Sequence, residues 1–182
     1  MRLLPWILLL ALTAPACQTA SGPTFAAGLG RSAFSAEWSK SDVDAPGSAG
    51  DFDMSTLGVN AVAGAFLGPE IEGGVKLGYL DQEIGNQTTK QWAAALYGRY
   101  YFQSHGTLRP WGELTLGYAQ GDNGPATDRN LYYGLALGLT QFLTESTALE
   151  LGLGHEARSF DFGNGDTDYS TTALTVGYAV FW

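Results

Sequence analysis

From Thr24 onward the chain alternates between two kinds of side chain. In 130–143, Leu131, Tyr133, Leu135, Leu137, Leu139, Gln141 and Leu143 fall on one parity, and Tyr132, Gly134, Ala136, Gly138, Thr140 and Phe142 on the other. In 148–160, Leu149, Leu151 and Leu153 stand against Glu150, Gly152, Gly154, Glu156 and Arg158. The last stretch sets Leu174, Val176, Tyr178, Val180 and Trp182 against Thr171, Ala173, Thr175, Gly177 and Ala179. Period two is the spacing of a β-strand, whose successive side chains leave on opposite faces. On this pattern strands are expected at 25–39, 53–67, 71–81, 90–102, 111–120, 130–143, 148–160 and 169–182. The gaps at 68–70 and 144–146 are tight and 103–110 is slightly longer, whereas 40–52, 82–89, 121–129 and 161–168 are longer and polar.

An even number of strands with short and long connections in alternation is the plan of a membrane-spanning barrel, short turns in the periplasm and long loops outside. The bulky rows support it: leucines opposite glycines and glutamates suit a narrow barrel with lipid outside and a polar lumen. A soluble barrel would instead turn the leucines inward. The expected fold is therefore all-β, an eight-stranded antiparallel up-and-down transmembrane barrel over 24–182. Ahead of it 1–16 reads as a cleaved signal peptide and 17–23 as a short linker. Arg2 supplies the charge, Leu3 to Thr13 the apolar run, and Ala14-Pro15-Ala16 a small-x-small cleavage site. Cleavage there leaves Cys17 first, so a second reading makes Cys17 an acylated lipoprotein terminus. The expected location is the bacterial outer membrane.

Composition narrows the field. The 18 acids against 9 bases give a net charge of −9, which argues against nucleic acid as a partner. Cys17 is the single cysteine, so neither an intramolecular disulfide nor a cysteine metal cluster can form. No phosphate-cradling glycine loop is present; the 25 glycines recur inside strands, where they ease packing and curvature. No cofactor is expected.

Parity then assigns the polar residues. Glu72, Lys76, Arg99, Glu113, Glu150, Glu156 and Arg158 fall on the inward parity, with Arg31 and Glu37 sharing a parity in the harder-to-phase first strand. Charges inside a narrow barrel must pair, because unpaired burial is costly. Such a network either fills the lumen or forms a rearrangeable gate for ions and small solutes. Tyr79, Trp92, Tyr118 and Tyr133 share the outward parity and are expected at one height, the outer aromatic girdle, with Trp182, Tyr100 and Phe102 marking the periplasmic one. Asp42, Asp44, Asp51, Asp53, Asp81, Glu83, Asp122, Asp128, Asp161, Asp166 and Asp168 are assigned to outer loops, where Ca²⁺ or Mg²⁺ could bridge them to the anionic outer leaflet. The segment from Asp161 to Asp168 is the strongest cation candidate, although Gly163 and Gly165 stand where an EF-hand needs oxygen ligands. For catalysis there are two histidines, His105 in a periplasmic turn beside Ser104 and His155 facing outward near Ser159.

Three stretches resemble the OmpA/OmpX-type outer-membrane barrels. Leu108-Arg-Pro-Trp-Gly-Glu-Leu-Thr-Leu-Gly-Tyr118 is similar to their strand entry, Leu96-Tyr-Gly-Arg-Tyr-Tyr-Phe102 to their strand ends, and Phe142-Leu-Thr-Glu-Ser-Thr-Ala-Leu149 to the turn before their seventh strand. The resemblance implies the architecture, a lipid and lipopolysaccharide environment, and delivery to the barrel-assembly machinery through a final strand ending in Trp182. It implies no catalytic residue: the lipid A deacylases among small barrels use a His-x-Ser arrangement that His155 and Ser159 do not reproduce. A non-enzymatic structural or surface-interaction role is expected, with a lumen conduit and a lipid A-modifying enzyme as the alternatives.

Overall fold

The computed structural model describes residues 22–44, 52–84, 87–103, 105–122, 127–161 and 166–182. Side chains are described for all of these except at the outer strand ends, 42–44, 52–55, 81–84, 87–89, 121–122, 127–130, 158–161 and 166–169. The expected signal peptide, Cys17 and most of the linker lie outside the described residues.

Eight strands form a closed antiparallel barrel in which each pairs with its sequence neighbours and the last returns to the first. They are β1 (Gly30–Asp44), β2 (Phe52–Phe66), β3 (Ile71–Ile84), β4 (Gln87–Tyr101), β5 (Leu108–Asp122), β6 (Thr127–Phe142), β7 (Thr147–Asp161) and β8 (Asp166–Phe181). Followed once round the register, Arg31 leads through Gly64, Gly74, Tyr97, Thr115, Gly134, Glu156 and Thr171 back to Ser41. That stagger tilts the strands and leaves an interior that side chains alone can fill.

Alternation places the leucines outside: Leu137 is 65% exposed and Leu135 64%, while Arg31 and Glu72 on the opposite parity are 0% exposed. A polar core inside an apolar wall is the reverse of a soluble protein and the signature of a barrel in lipid.

Two boundaries depart from the sequence expectation. Residues 25–29 are not strand: β1 starts at Gly30, and the chain before it folds under the barrel mouth. Gly28, at φ 90°, makes the turn that an L-residue resists. At the other end the strands run on into stretches expected as loops, through Asp44, Ile84, Asp122 and Asp161. Every acid assigned to the outer loops therefore rides on strand backbone, except Asp51, which lies outside the described residues. Pairing decides this. Once neighbouring strands are in register, each further backbone hydrogen bond extends the ladder whatever the polarity of the side chains.

Candidate functional site in the barrel lumen

Six charges cross the lumen as one alternating chain. Glu72 (β3) accepts from Arg31 Nη1 (β1) at 3.0 Å, and the other Arg31 nitrogen reaches Glu150 (β7). Glu150 Oε1 takes Arg99 Nη1 (β4) at 2.9 Å, Arg99 Nη2 donates to Glu113 Oε2 (β5) at 2.7 Å, and Glu113 Oε1 meets Lys76 Nζ (β3) at 2.5 Å. Three acids and three bases thus run from β3 across the barrel and back to β3, with no net charge. Hydroxyls complete the carboxylates: Tyr97 and Tyr101 donate to Glu72, the latter at 3.1 Å, and Thr140 donates to Glu150 at 3.2 Å. Burial of ions is tolerated where each is paired and hydrogen-bonded; in this chain of charges Arg31 Nε is the buried nitrogen that finds no partner among the described residues.

The register explains why these residues meet. Glu72 lies opposite Arg99, and Arg99 opposite Glu113, on adjacent strands. Arg31 and Glu150 come from the far wall, within the reach of two long side chains. Trp111 lies against the Arg99 guanidinium, 3.9 Å from its ring centre, an attractive cation–π contact. Its indole is seated on Gly138 and Gly152: a Cβ at Gly138 would overlap both the ring and the Leu151 carbonyl, and one at Gly152 would stand 3.0 Å from the ring. Gly64 and Gly74 make the same kind of room for Tyr97.

Below this belt the lumen is stoppered. Phe25 is 2% exposed. Its ring stacks 4.0 Å from Phe66 and packs against Tyr101, Phe142 and Phe181. Arg109 holds the segment in place, its guanidinium 4.0 Å from the Phe25 ring and 4.5 Å from Phe142, with Nη2 donating to the Pro23 carbonyl at 2.7 Å. Above the belt a cavity of about 50 Å³ is bordered by Ser35, Glu37, Asn60 and Lys76, and Asn60 donates to Glu37 at 2.9 Å.

Of the residues expected in the lumen, Glu72, Lys76, Arg99, Glu113 and Glu150 are brought together. Glu156 also faces inward but sits half-buried nearer the outer end, against Gly134. Arg158 is on the same parity of β7, and its side chain is not among those described. Sequence reasoning left Arg31 loosely placed, because residues 25–29 were read into its strand, and it missed Arg109 and Phe25 altogether. The only sequence signal for them is Gly28, which could have ended the strand reading before Gly30.

On the outer wall Tyr79 and Trp92 are register partners, their ring centres 4.6 Å apart, and Tyr118 and Tyr133 are exposed. Trp182 is 72% exposed. Its backbone pairs with Gly30, and its Nε1 donates to Ser32 Oγ at 3.3 Å across the β1–β8 seam. His105 is exposed in the turn before β5; Ser104 lies outside the described residues. His155 is exposed and shares a hydrogen bond of 3.2 Å with Thr172 Oγ1. Residues 162–165 of the cation candidate lie outside the described residues. Among the described residues no group of three or more acids, histidines or cysteines could hold a metal.

A closed eight-stranded antiparallel barrel has counterparts among known folds. The model of the outer membrane protein beta-barrel domain family matches residues 5–180. The chain belongs to that family. Its location is accordingly the bacterial outer membrane. Among solved structures it is similar to Neisserial surface protein A, with a TM-score of 0.61 at 15% identity over 82% of this chain and 96% of that one. It is similar also to Ail, the attachment invasion locus protein of Yersinia pestis, with a TM-score of 0.53 at 14% identity over 82% and 98%. A de novo designed transmembrane β-barrel matches with a TM-score of 0.52 at 13% identity over 86% and 97%. No curated protein matches the chain in sequence. At these identities the likeness is one of fold.

Proposed function

We propose that this protein is a sealed, non-enzymatic outer-membrane barrel with a structural or surface-interaction role, presenting the acidic outer ends of its strands. The observation that carries the reading is the filled lumen: a neutral six-charge chain spans it and Phe25 stoppers it below. What remains for contact is the outer rim and the lipid-facing wall. Asp42 stands opposite Asp53 in register, Asp44 opposite Asp168, and Asp161 opposite Asp166. Like charges so placed repel, which favours bridging by Ca²⁺ or Mg²⁺ at an anionic membrane surface. Ail is described in complex with the heparin analogue sucrose octasulfate; the net charge of −9 here opposes that kind of polyanion. Outer-membrane lipid and lipopolysaccharide surround the wall, and β8, ending beside Trp182, is the strand the assembly machinery would engage.

The conduit is the second reading, since a salt-bridge chain could rearrange. Planar bilayers holding the refolded protein decide between the two. Electrical silence is the expected result, and a steady conductance altered by Glu113→Gln or Arg99→Gln would replace the sealed barrel with a conduit. The enzymatic alternative has less support, because the partner of His155 is a threonine hydroxyl rather than a carboxylate. Overexpression is expected to leave lipid A acylation unchanged, with or without His155→Ala.

A further inference from the structure

One segment of this barrel is held by side chains rather than by a ladder. Residues 23–27 pair with no strand, whereas every strand is hydrogen-bonded on both sides. Within that run Phe25 is buried while Thr24, Ala26 and Ala27 are exposed. Two attachments hold it. The Phe25 ring is seated among Phe66, Tyr101, Phe142 and Phe181, and the Pro23 carbonyl accepts from Arg109 Nη2 at 2.7 Å. The Ala26 carbonyl accepts from the Leu29 N–H at 3.1 Å, inside the same turn.

A hinge joins this arm to β1. Gly28 holds φ at 90°, and a Cβ there would meet nothing within 4 Å, so its backbone turns in open space. The bond from its N–H to the Phe66 carbonyl at 2.8 Å fixes the closed position. Immediately beyond, Gly30 exchanges backbone bonds with Trp182 in both directions, at 2.7 and 3.0 Å. Swinging the arm about Gly28 therefore releases one ring and one carbonyl, whereas releasing a strand breaks two ladders.

The arm covers one end of the charge chain. Phe25 packs against Tyr101, ring centres 4.7 Å apart, and Tyr101 donates to Glu72, the carboxylate that ends the chain on Arg31. With the ring lifted, water reaches Tyr101 from the mouth. The pairs of Arg99 with Glu113 and Glu150 involve no residue of the arm and are kept.

We propose that residues 22–27 are a reversible lid, swinging on Gly28 while the eight strands stay closed, so that the lumen has two independent closures in series, the lid at the mouth and the charge chain above it. This rests on the sealed-barrel reading and says how the seal is divided.

The test follows a single thiol in the full chain carrying Cys17→Ser and refolded in dodecyl maltoside. Ala179→Cys places it in the ring cluster under the lid, and Ala119→Cys in the separate cluster with Ala95 and Tyr132; both alanines are fully buried. A gel shift on heating is read first for every sample. The rate of modification by a trimethylammonium methanethiosulfonate is then measured across low urea. At Ala179→Cys the expected rate is measurable and nearly flat in urea, since opening a lid exposes little surface. Phe25→Ala should raise it tenfold or more, and so should Gly28→Pro, which fixes φ and removes the N–H bonded to Phe66. Neither should change the rate at Ala119→Cys. Gly28→Ala, which meets no neighbour but resists the φ of the turn, should raise the Ala179→Cys rate by less and keeps the test open if the other two do not fold. A rate at Ala179→Cys that no lid variant alters, or that climbs with urea as steeply as global unfolding, would overturn the lid. In planar bilayers Phe25→Ala should stay as silent as the unaltered chain. Conductance in that variant alone would overturn the independence of the two closures, and conductance in the unaltered chain would count against the sealed barrel rather than the lid.

Discussion

Arg99 is the residue on which the lumen turns. It links Glu150 to Glu113 and lies against Trp111, so its removal leaves two buried carboxylates with one cation each. Arg99→Met should destabilise the barrel by about 3–5 kcal/mol, the cost of breaking a buried pair, read as a lowered urea midpoint in lipid vesicles. Lys76→Met should cost less, because that side chain is 22% exposed and Glu113 keeps both Arg99 bonds. A larger loss from Lys76 than from Arg99 would contradict this account of the chain. Glycines sort by the same logic. Gly138→Ala forces a methyl group into Trp111 and the β7 backbone and should abolish the heat-shifting form, whereas Gly98→Ala projects into open space and should fold normally. If both variants fold alike, the seating of Trp111 is not what Gly138 provides.

The element that changes the molecule most is the shortest, the segment 22–29 before β1. It is tied in by Gly28 N–H to the Phe66 carbonyl at 2.8 Å and by Phe66 N–H to the Leu29 carbonyl at 2.9 Å. Its single aromatic side chain, Phe25, fills the mouth between β2, β4, β6 and β8. Phe25→Ala should cost about 3–5 kcal/mol, as truncation of a buried aromatic does, while the barrel still inserts and shifts on heating. A urea midpoint equal to that of the unaltered protein would show the stopper to be energetically idle. The strands themselves need no such anchor, since each is paired on both sides and the closed ladder leaves no edge.

At the scale of the whole molecule the decisive property is the separation of two surfaces: a lumen crossed by a neutral chain of six charges and an apolar wall. A role at the rim makes a specific demand. Exchanging Asp42, Asp53, Asp161 and Asp168 for asparagine should abolish association with divalent-cation-loaded lipopolysaccharide vesicles while the heat shift survives. Undiminished association would move the contact from the rim to the wall.

The sequence by itself determined the strand count and, beyond the first strand, the side of each strand that meets lipid. Both follow from local periodicity, and a two-residue period survives any uncertainty about where a strand begins, whereas the expected contrast of long and short connections was lost where the strands run on through Ile84, Asp122 and Asp161. It also brought Glu72, Lys76, Arg99, Glu113 and Glu150 to one face, since parity needs no partner to be known. Partners were another matter. Which acid meets which base depends on a register that carries Arg31 round to Ser41 in one circuit, and no single strand encodes that stagger. Arg31 joins the chain, and Arg109 leaves it to hold Phe25, only because closure sets them at different depths. Phe25 looked like the start of a strand because its neighbours alternate. Only the tertiary structure turned it under the mouth, where burying one aromatic ring against four others outweighs lengthening a ladder by a few hydrogen bonds.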